Sequence, residues 1–106
     1  MARTQEDTHI YGAVNSLEDL RRINRDIRHE MDAVTSQAQL TELKKRSDYL
    51  CTLVEAPSWQ KKFGQKIDRV REVVHEEETK TAEHANKLVK KHGWDTEYHP
   101  WGGRSG

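Results

Sequence analysis

The stretch SWQKKFGQKIDRVREVVHEEETKTAEHANKLVKKHG, residues 58–93, decides the fold because apolar residues recur along it at the spacing of one helix face. The stripe consists of Trp59, Phe63, Ile67, Val70 and Val74, and it resumes after a polar segment with Ala82, Ala85, Leu88 and Val89. Gly93 follows three basic residues, which is typical of a helix C-terminus. We therefore predict a helix over residues 58–92, capped by Ser58 and about 51 Å long at ~1.5 Å per residue.

The first of two shorter upstream helices is predicted over residues 16–34. Asn15 and Ser16 both offer an N-cap, and Glu18 lies three residues after Asn15, as a capping box requires. Apolar residues then follow at spacings of three and four, which places them on one helix face. They are Leu17, Leu20, Ile23, Ile27, Met31 and Val34.

A second upstream helix is predicted over residues 37–56. Ser36 and Gln39 fit a capping box at its start, and the same spacing of three and four follows. Its face consists of Leu40, Leu43, Ser47, Leu50 and Val54. Pro57 ends the helix because proline pushes the preceding residue out of the helical region. A single helix over residues 16–56 is the alternative.

These segments predict an all-α protein that forms one domain over residues 1–106. The expected architecture is an antiparallel three-helix bundle with a long third helix. A flexible arm over residues 1–14 precedes it, and an aromatic C-terminal tail over residues 93–106 follows it. About a third of the residues are charged, which suits amphipathic helices whose outer faces contact water.

The length of the third helix raises the question of what covers its second half. The first two helices, each about 28 Å long, reach along only half of it. Either the helix breaks near Glu77 and folds back, or a second chain covers the remaining stripe. Residues 61–71 carry five basic residues and one acidic, whereas residues 72–83 carry five acidic and one basic. Because such blocks pair when two helices run antiparallel, we predict a homodimer.

Composition bears on the class of partner and on location. Eighteen basic residues balance eighteen acidic ones, which disfavours a protein that binds nucleic acid through charge. No segment approaches the ~20 apolar residues that span a bilayer, and the N-terminal residues lack the apolar run of a signal peptide. The single cysteine fits a reducing compartment. We expect a cytoplasmic protein that contacts neither membrane nor nucleic acid.

Histidine and carboxylate spacing supports an alternative function. Asp26 and His29, like Glu72 and His75, lie three residues apart, as metal ligands do in helical di-iron bundles. Helical phase places both pairs away from the predicted core, so a site of this kind would form where two chains meet. The alternative is therefore a metal-associated bundle with ligands at an oligomer interface. Its candidate ligands are Glu72, His75, His84 and His92.

Little in the sequence indicates catalysis. Cys51 lies beside the apolar face of the second helix, where a free cysteine is usually a small buried hydrophobic residue. The glycines are scattered and form no phosphate-binding loop. We therefore predict a non-enzymatic protein that needs no cofactor.

The tail holds three of the seven aromatic residues, Trp94, Tyr98 and Trp101. Trp94 directly follows the helix stop and is expected to pack back over the last helical turns. Trp101 lies beyond Pro100, where an aromatic side chain suits a partner anchor. We predict a protein-interaction or regulatory module whose partner, of unknown identity, contacts Trp101, Tyr98 and Leu88.

Overall fold

The computed structural model describes residues 14, 16–95 and 97–99, and this part of the chain contains helices and no strand. The helices are α1 (Leu17–Met31), α2 (Gln37–Leu53), α3 (Pro57–Phe63) and α4 (Ile67–His92), with a 3-10 turn at Gly64–Lys66. The predicted all-α class is confirmed. None of the described helices is both long and apolar enough to cross a membrane.

Helices α1, α2 and α4 pack against one another as a three-helix bundle. Leu20, near the start of α1, shares an apolar cluster with Val70, near the start of α4. Met31, at the end of α1, shares a second cluster with Leu88, near the end of α4. These two helices therefore run in the same direction. Helix α2 runs antiparallel to both, because its later residues join the first cluster and its earlier residues join the second.

The two upstream helices begin at serine caps. Ser16 Oγ accepts a hydrogen bond from the Asp19 amide at 3.2 Å, and Ser36 Oγ accepts one from the Gln39 amide at 3.3 Å. Gln39 Oε1 reaches back to the Thr35 amide at 2.7 Å. These caps satisfy amides that lack helical partners, so α1 and α2 are separate helices. They end at Met31 and Leu53, each three residues before the predicted boundary; Asn15 lies outside the described residues.

The third helical segment is interrupted once, near its start. Ala56, rather than Ser58, is the N-cap, because Pro57 takes the first helical position, where a missing N–H costs no hydrogen bond. Gly64 adopts φ 55°, which ends α3 and starts the 3-10 turn. From Ile67 the helix continues to His92, so the break near Glu77 does not occur.

The predicted helix stop at Gly93 is confirmed. Gly93 adopts the left-handed conformation with φ 73°. Its amide donates to the Lys90 carbonyl at 3.3 Å, and the Trp94 amide donates to the Val89 carbonyl at 3.0 Å. These two bonds form a Schellman motif, in which the residue after glycine commonly packs on the last turn. Trp94 is half-buried against the second apolar cluster, which contains Val89.

The apolar stripe that was expected to need a second chain is buried within one chain. Ala82, Ala85, Leu88 and Val89 are at most 7% exposed. The reason is geometric: α3 and the turn take up the first residues of the segment, so α4 has 26 residues and a length of about 39 Å. Val14 and helix α1 pack alongside it. The homodimer is still a prediction, but this stripe no longer supports it.

Candidate functional site

A buried polar layer crosses the bundle between the two apolar clusters. Asn24, Ser47 and Thr81, one from each long helix, are 0% exposed. Asn24 Oδ1 accepts hydrogen bonds from Ser47 Oγ at 2.7 Å and from Thr81 Oγ1 at 3.2 Å. Asn24 Nδ2 donates to the Leu20 carbonyl at 3.2 Å. Because these groups satisfy one another, the layer fixes the alignment of the three helices.

Ion pairs of Lys44 and of Arg28 flank this layer. Lys44 Nζ lies 2.5 Å from Glu78 Oε2 and 2.6 Å from Asp48 Oδ1, and Glu78 is 1% exposed. Burial alone would lower the pKa of Lys44, but the carboxylates of Asp48 and Glu78 outweigh it, so the pKa is raised. Lys44 therefore stays charged at neutral pH. On the other side of α4, Arg28 binds the Glu77 carboxylate at 3.2 Å.

Cys51 and His75 lie next to each other, a contact that the sequence pattern does not predict. Cys51 Sγ lies 3.9 Å from His75 Nδ1, and the thiol is buried. Burial raises the pKa of the Cys51 thiol well above its usual range, and the charge of Glu78 raises it further. Since the thiolate is the reactive form, this environment suits a structural cysteine rather than a nucleophile.

The residues predicted as alternative metal ligands lie along one helix and do not converge. Glu72 and His92 are about 30 Å apart at ~1.5 Å per residue. Glu72 accepts a hydrogen bond from Arg69, His75 lies beside Cys51, His84 contacts Asp32 at 2.7 Å, and His92 stacks on Trp94. Across residues 14, 16–95 and 97–99, no three histidine, cysteine or acidic side chains are grouped to hold a metal ion.

The predicted partner-binding residues have different surroundings. Leu88 is 6% exposed and belongs to the second apolar cluster, so its side chain contacts the chain's own helices. Tyr98 is half-buried against the same cluster. Its hydroxyl lies 2.6 Å from Thr41 Oγ1, and Asn86 binds its backbone. Trp101 lies outside the described residues.

A groove lies at the other end of the bundle, where the start of α1 meets the corner between α3 and α4. Its volume is about 510 Å³. The floor is apolar and consists of Leu17, Phe63 and Val70, whereas the rim is polar and consists of Ser16, Lys62, Lys66 and Arg69. The left-handed glycine turn creates this corner because it ends α3 before α4 begins.

Positive charge dominates the rim of this groove. Lys62 Nζ lies 5.8 Å from the centre of the Phe63 ring, a cation–π distance. Arg69 pairs with Glu72 at 2.8 Å on the exposed side of α4. Arg71 binds Glu55 at 2.6 Å, and its guanidinium lowers the pKa of that carboxyl. These acidic residues are thus held by arginines, and no acidic residue lines the described groove.

The sequence contained the signal for this groove, but we interpreted it differently. The basic block in residues 61–71 was assigned to pairing between two long helices. Gly64 lies inside that block. A glycine within a helical pattern is a sign of a break. The break at Gly64 places the basic residues at a corner of the fold instead of along one continuous helix.

No protein-family model, curated protein or solved structure matches this chain.

Proposed function

We propose that the protein is a non-enzymatic interaction module that binds a partner protein in the groove between α1 and the α3–α4 corner. The partner segment is acidic and carries one apolar anchor residue. The observation that supports this proposal is the pairing of an apolar floor with a basic rim.

The two parts of the groove make different contributions to binding. An apolar side chain that is moved from water onto Leu17, Phe63 and Val70 contributes about 1.5–3 kcal/mol. The rim charges act mainly on the rate of association and on the choice of partner, because exposed charges are screened by water and salt. An acidic segment without an anchor is therefore expected to bind weakly.

The surroundings of the other candidate residues support binding rather than catalysis. Lys44 and Arg28 are held by carboxylates, and the Cys51 thiol is kept protonated. A general acid or base needs a pKa near the working pH and access to a substrate. The groove is open to a substrate, but the titratable groups that line it are lysine and arginine side chains.

A labelled helical peptide of glutamate and alanine with a single leucine tests the proposal. We expect saturable binding to the wild-type chain by fluorescence anisotropy, together with NMR shift changes at Leu17, Phe63 and Val70. Lys66→Glu should weaken binding about tenfold, or ~1.4 kcal/mol. The matched control is Lys87→Glu, an equal charge change on an exposed residue of α4 about 30 Å from the turn that holds Lys66, which should leave affinity unchanged.

Three results would contradict the proposal. The first is equal binding of a peptide whose leucine is replaced by serine, because the apolar floor would then contribute nothing. The second is an equal loss in the Lys66→Glu and Lys87→Glu variants. The third is tighter binding of a single-stranded oligonucleotide than of the acidic peptide, which would make the basic rim a nucleic-acid surface.

A cytoplasmic location and a homodimer are further parts of the proposal that rest on the sequence. The charge blocks remain the support for a dimer, although Glu77 and Glu78 of the acidic block are now seen to be paired within the chain. Light scattering at micromolar concentration distinguishes a mass near 12.4 kDa from twice that mass.

A further inference from the structure

Asn86 binds the main chain of Tyr98 through both ends of its side-chain amide. The Tyr98 amide donates to Asn86 Oδ1 at 2.7 Å, and Asn86 Nδ2 donates to the Tyr98 carbonyl at 2.7 Å. A neighbouring β-strand would satisfy the same two groups in the same way. This contact recognises the backbone of an extended residue without regard to its side chain.

Thr41 and the second apolar cluster recognise the side chain of the same residue. The Tyr98 hydroxyl lies 2.6 Å from Thr41 Oγ1, on the neighbouring helix α2. Its ring packs against the cluster that contains Leu43 and Leu88. A polar group at the far end and an apolar bed beneath the ring together select tyrosine. The slot between α2 and α4 thus contacts both the main chain and the ring of one residue.

We propose that Asn86 and Thr41 form a peptide-binding slot for an extended segment that carries a tyrosine, and that the chain's own tail fills this slot in cis. Such a segment from a partner protein occupies the slot when it displaces Tyr98. The proposal is independent of the groove at the other end of the bundle.

The way the tail is held makes displacement feasible. Between the helix stop and His99, the described tail side chains that pack on the bundle are Trp94 and Tyr98, whereas Asp95, Glu97 and His99 are exposed. Tyr98 lies five residues after Gly93, so the tail competes as a short tethered ligand. A short flexible tether gives an effective concentration in the millimolar range. A partner segment present at micromolar concentration must therefore bind more tightly than the tail does.

Anisotropy of a labelled peptide with the sequence of residues 93–99, GWDTEYH, tests the proposal on the full-length chain. The receptor is the Tyr98→Ala variant, whose tail keeps its main chain but has lost the ring and the hydroxyl that hold it in the slot. The wild-type chain is the occupied control, and the double variant Asn86→Ala/Tyr98→Ala lacks the backbone contact. We expect the peptide to bind Tyr98→Ala at least about tenfold more tightly than it binds either control. A peptide with alanine for tyrosine should not bind.

Two outcomes would overturn the proposal: no binding to folded Tyr98→Ala at millimolar peptide, or equal affinity for all three receptors. If Tyr98→Ala loses its helical circular dichroism, Tyr98→Phe serves as the receptor, because its tail competes without the bond to Thr41 and the peptide should still bind it more tightly than it binds the wild-type chain. A second measurement uses the intact tail. The Tyr98 amide should exchange slowly with deuterium in the wild-type chain and at least about tenfold faster in Asn86→Ala. Fast exchange in the wild type would show that the slot is not filled in cis.

Discussion

Removing the charge of Lys44 should be among the most destabilising single changes in this protein. Lys44 lies between α2 and α4, 2.5 Å from the Glu78 carboxylate, and Glu78 is 1% exposed. Lys44→Met keeps an unbranched side chain of similar length but leaves Glu78 charged and buried. Loss of one partner of a buried pair costs about 3–5 kcal/mol, because the remaining buried charge loses the opposite charge that offsets its desolvation.

The double variant separates the pair's own contribution from this penalty. Lys44→Met/Glu78→Leu removes both charges, and such replacements are often neutral or stabilising by ~1–4 kcal/mol. Asp48, which also contacts Lys44, is 26% exposed and stays solvated in both variants. The matched control is Lys45→Met, next to Lys44 in sequence, whose lysine lies on the surface 3.8 Å from Glu42. That change should cost no more than about 1 kcal/mol.

Equilibrium unfolding in urea, followed by circular dichroism, measures these differences. We expect stability to fall in Lys44→Met and to be largely restored in the double variant. The reasoning is refuted if Lys44→Met matches Lys45→Met, or if the double variant is as unstable as the single one. The first result would mean that water reaches Glu78 and solvates it, and the second would mean that the loss comes from packing rather than from the buried charge.

The pH dependence of unfolding offers a second check on the same pair. The pKa of Lys44 is raised in the folded state, so the folded chain holds this proton more tightly than the unfolded chain does. The contribution of Lys44 to the free energy of unfolding is therefore complete below about pH 10.4, which is the pKa of lysine in the unfolded chain. It is lost as the pH rises through the pKa of Lys44 in the folded chain. The free energy of unfolding of the wild-type chain should therefore fall at alkaline pH. The double variant has no Lys44 and should not show this part of the fall.

Two further changes test local features of the fold. Trp94→Ala should lower the free energy of unfolding by about 1–3 kcal/mol, because the ring packs on the second apolar cluster; an unchanged urea midpoint would show that the ring contributes nothing there. Gly64→Ala should cost about 1–3 kcal/mol in urea unfolding through backbone strain alone, since φ is 55° and an added methyl group meets no atom within 4 Å. The control Gln65→Ala, on an exposed residue of the same turn, should be close to neutral, and equal stability of the two variants would argue against the left-handed turn.

The sequence alone determined the elements whose causes are local. Ser16 and Ser36 lie within three residues of the amides they cap, and Gly93 lies next to the carbonyls that its turn satisfies. The spacing of apolar residues likewise depends only on the helical repeat, and it predicted a shared core of Leu43, Leu50, Ile67 and Val70. Leu50 and Val70 are buried in one cluster with Ile67 partly buried against it, whereas Leu43 belongs to the other cluster. Because these signals are contained in a few turns of chain, the all-α class and the order of the helices could be predicted.

Only the tertiary structure decided which polar residues are buried and which distant side chains meet in the groove and beside Tyr98. Lys44, Glu77 and Glu78 resemble surface charges in the sequence, since Arg28, which binds Glu77, and Lys44, which binds Glu78, lie on other helices. Asn24 contacts Thr81, which lies 57 residues later in the sequence, and Thr41 contacts Tyr98 at the same separation in sequence. Such contacts depend on how the helices align, which the turn at Gly64 changes by shortening α4. Neither the groove nor the tyrosine slot exists until that alignment brings distant side chains together.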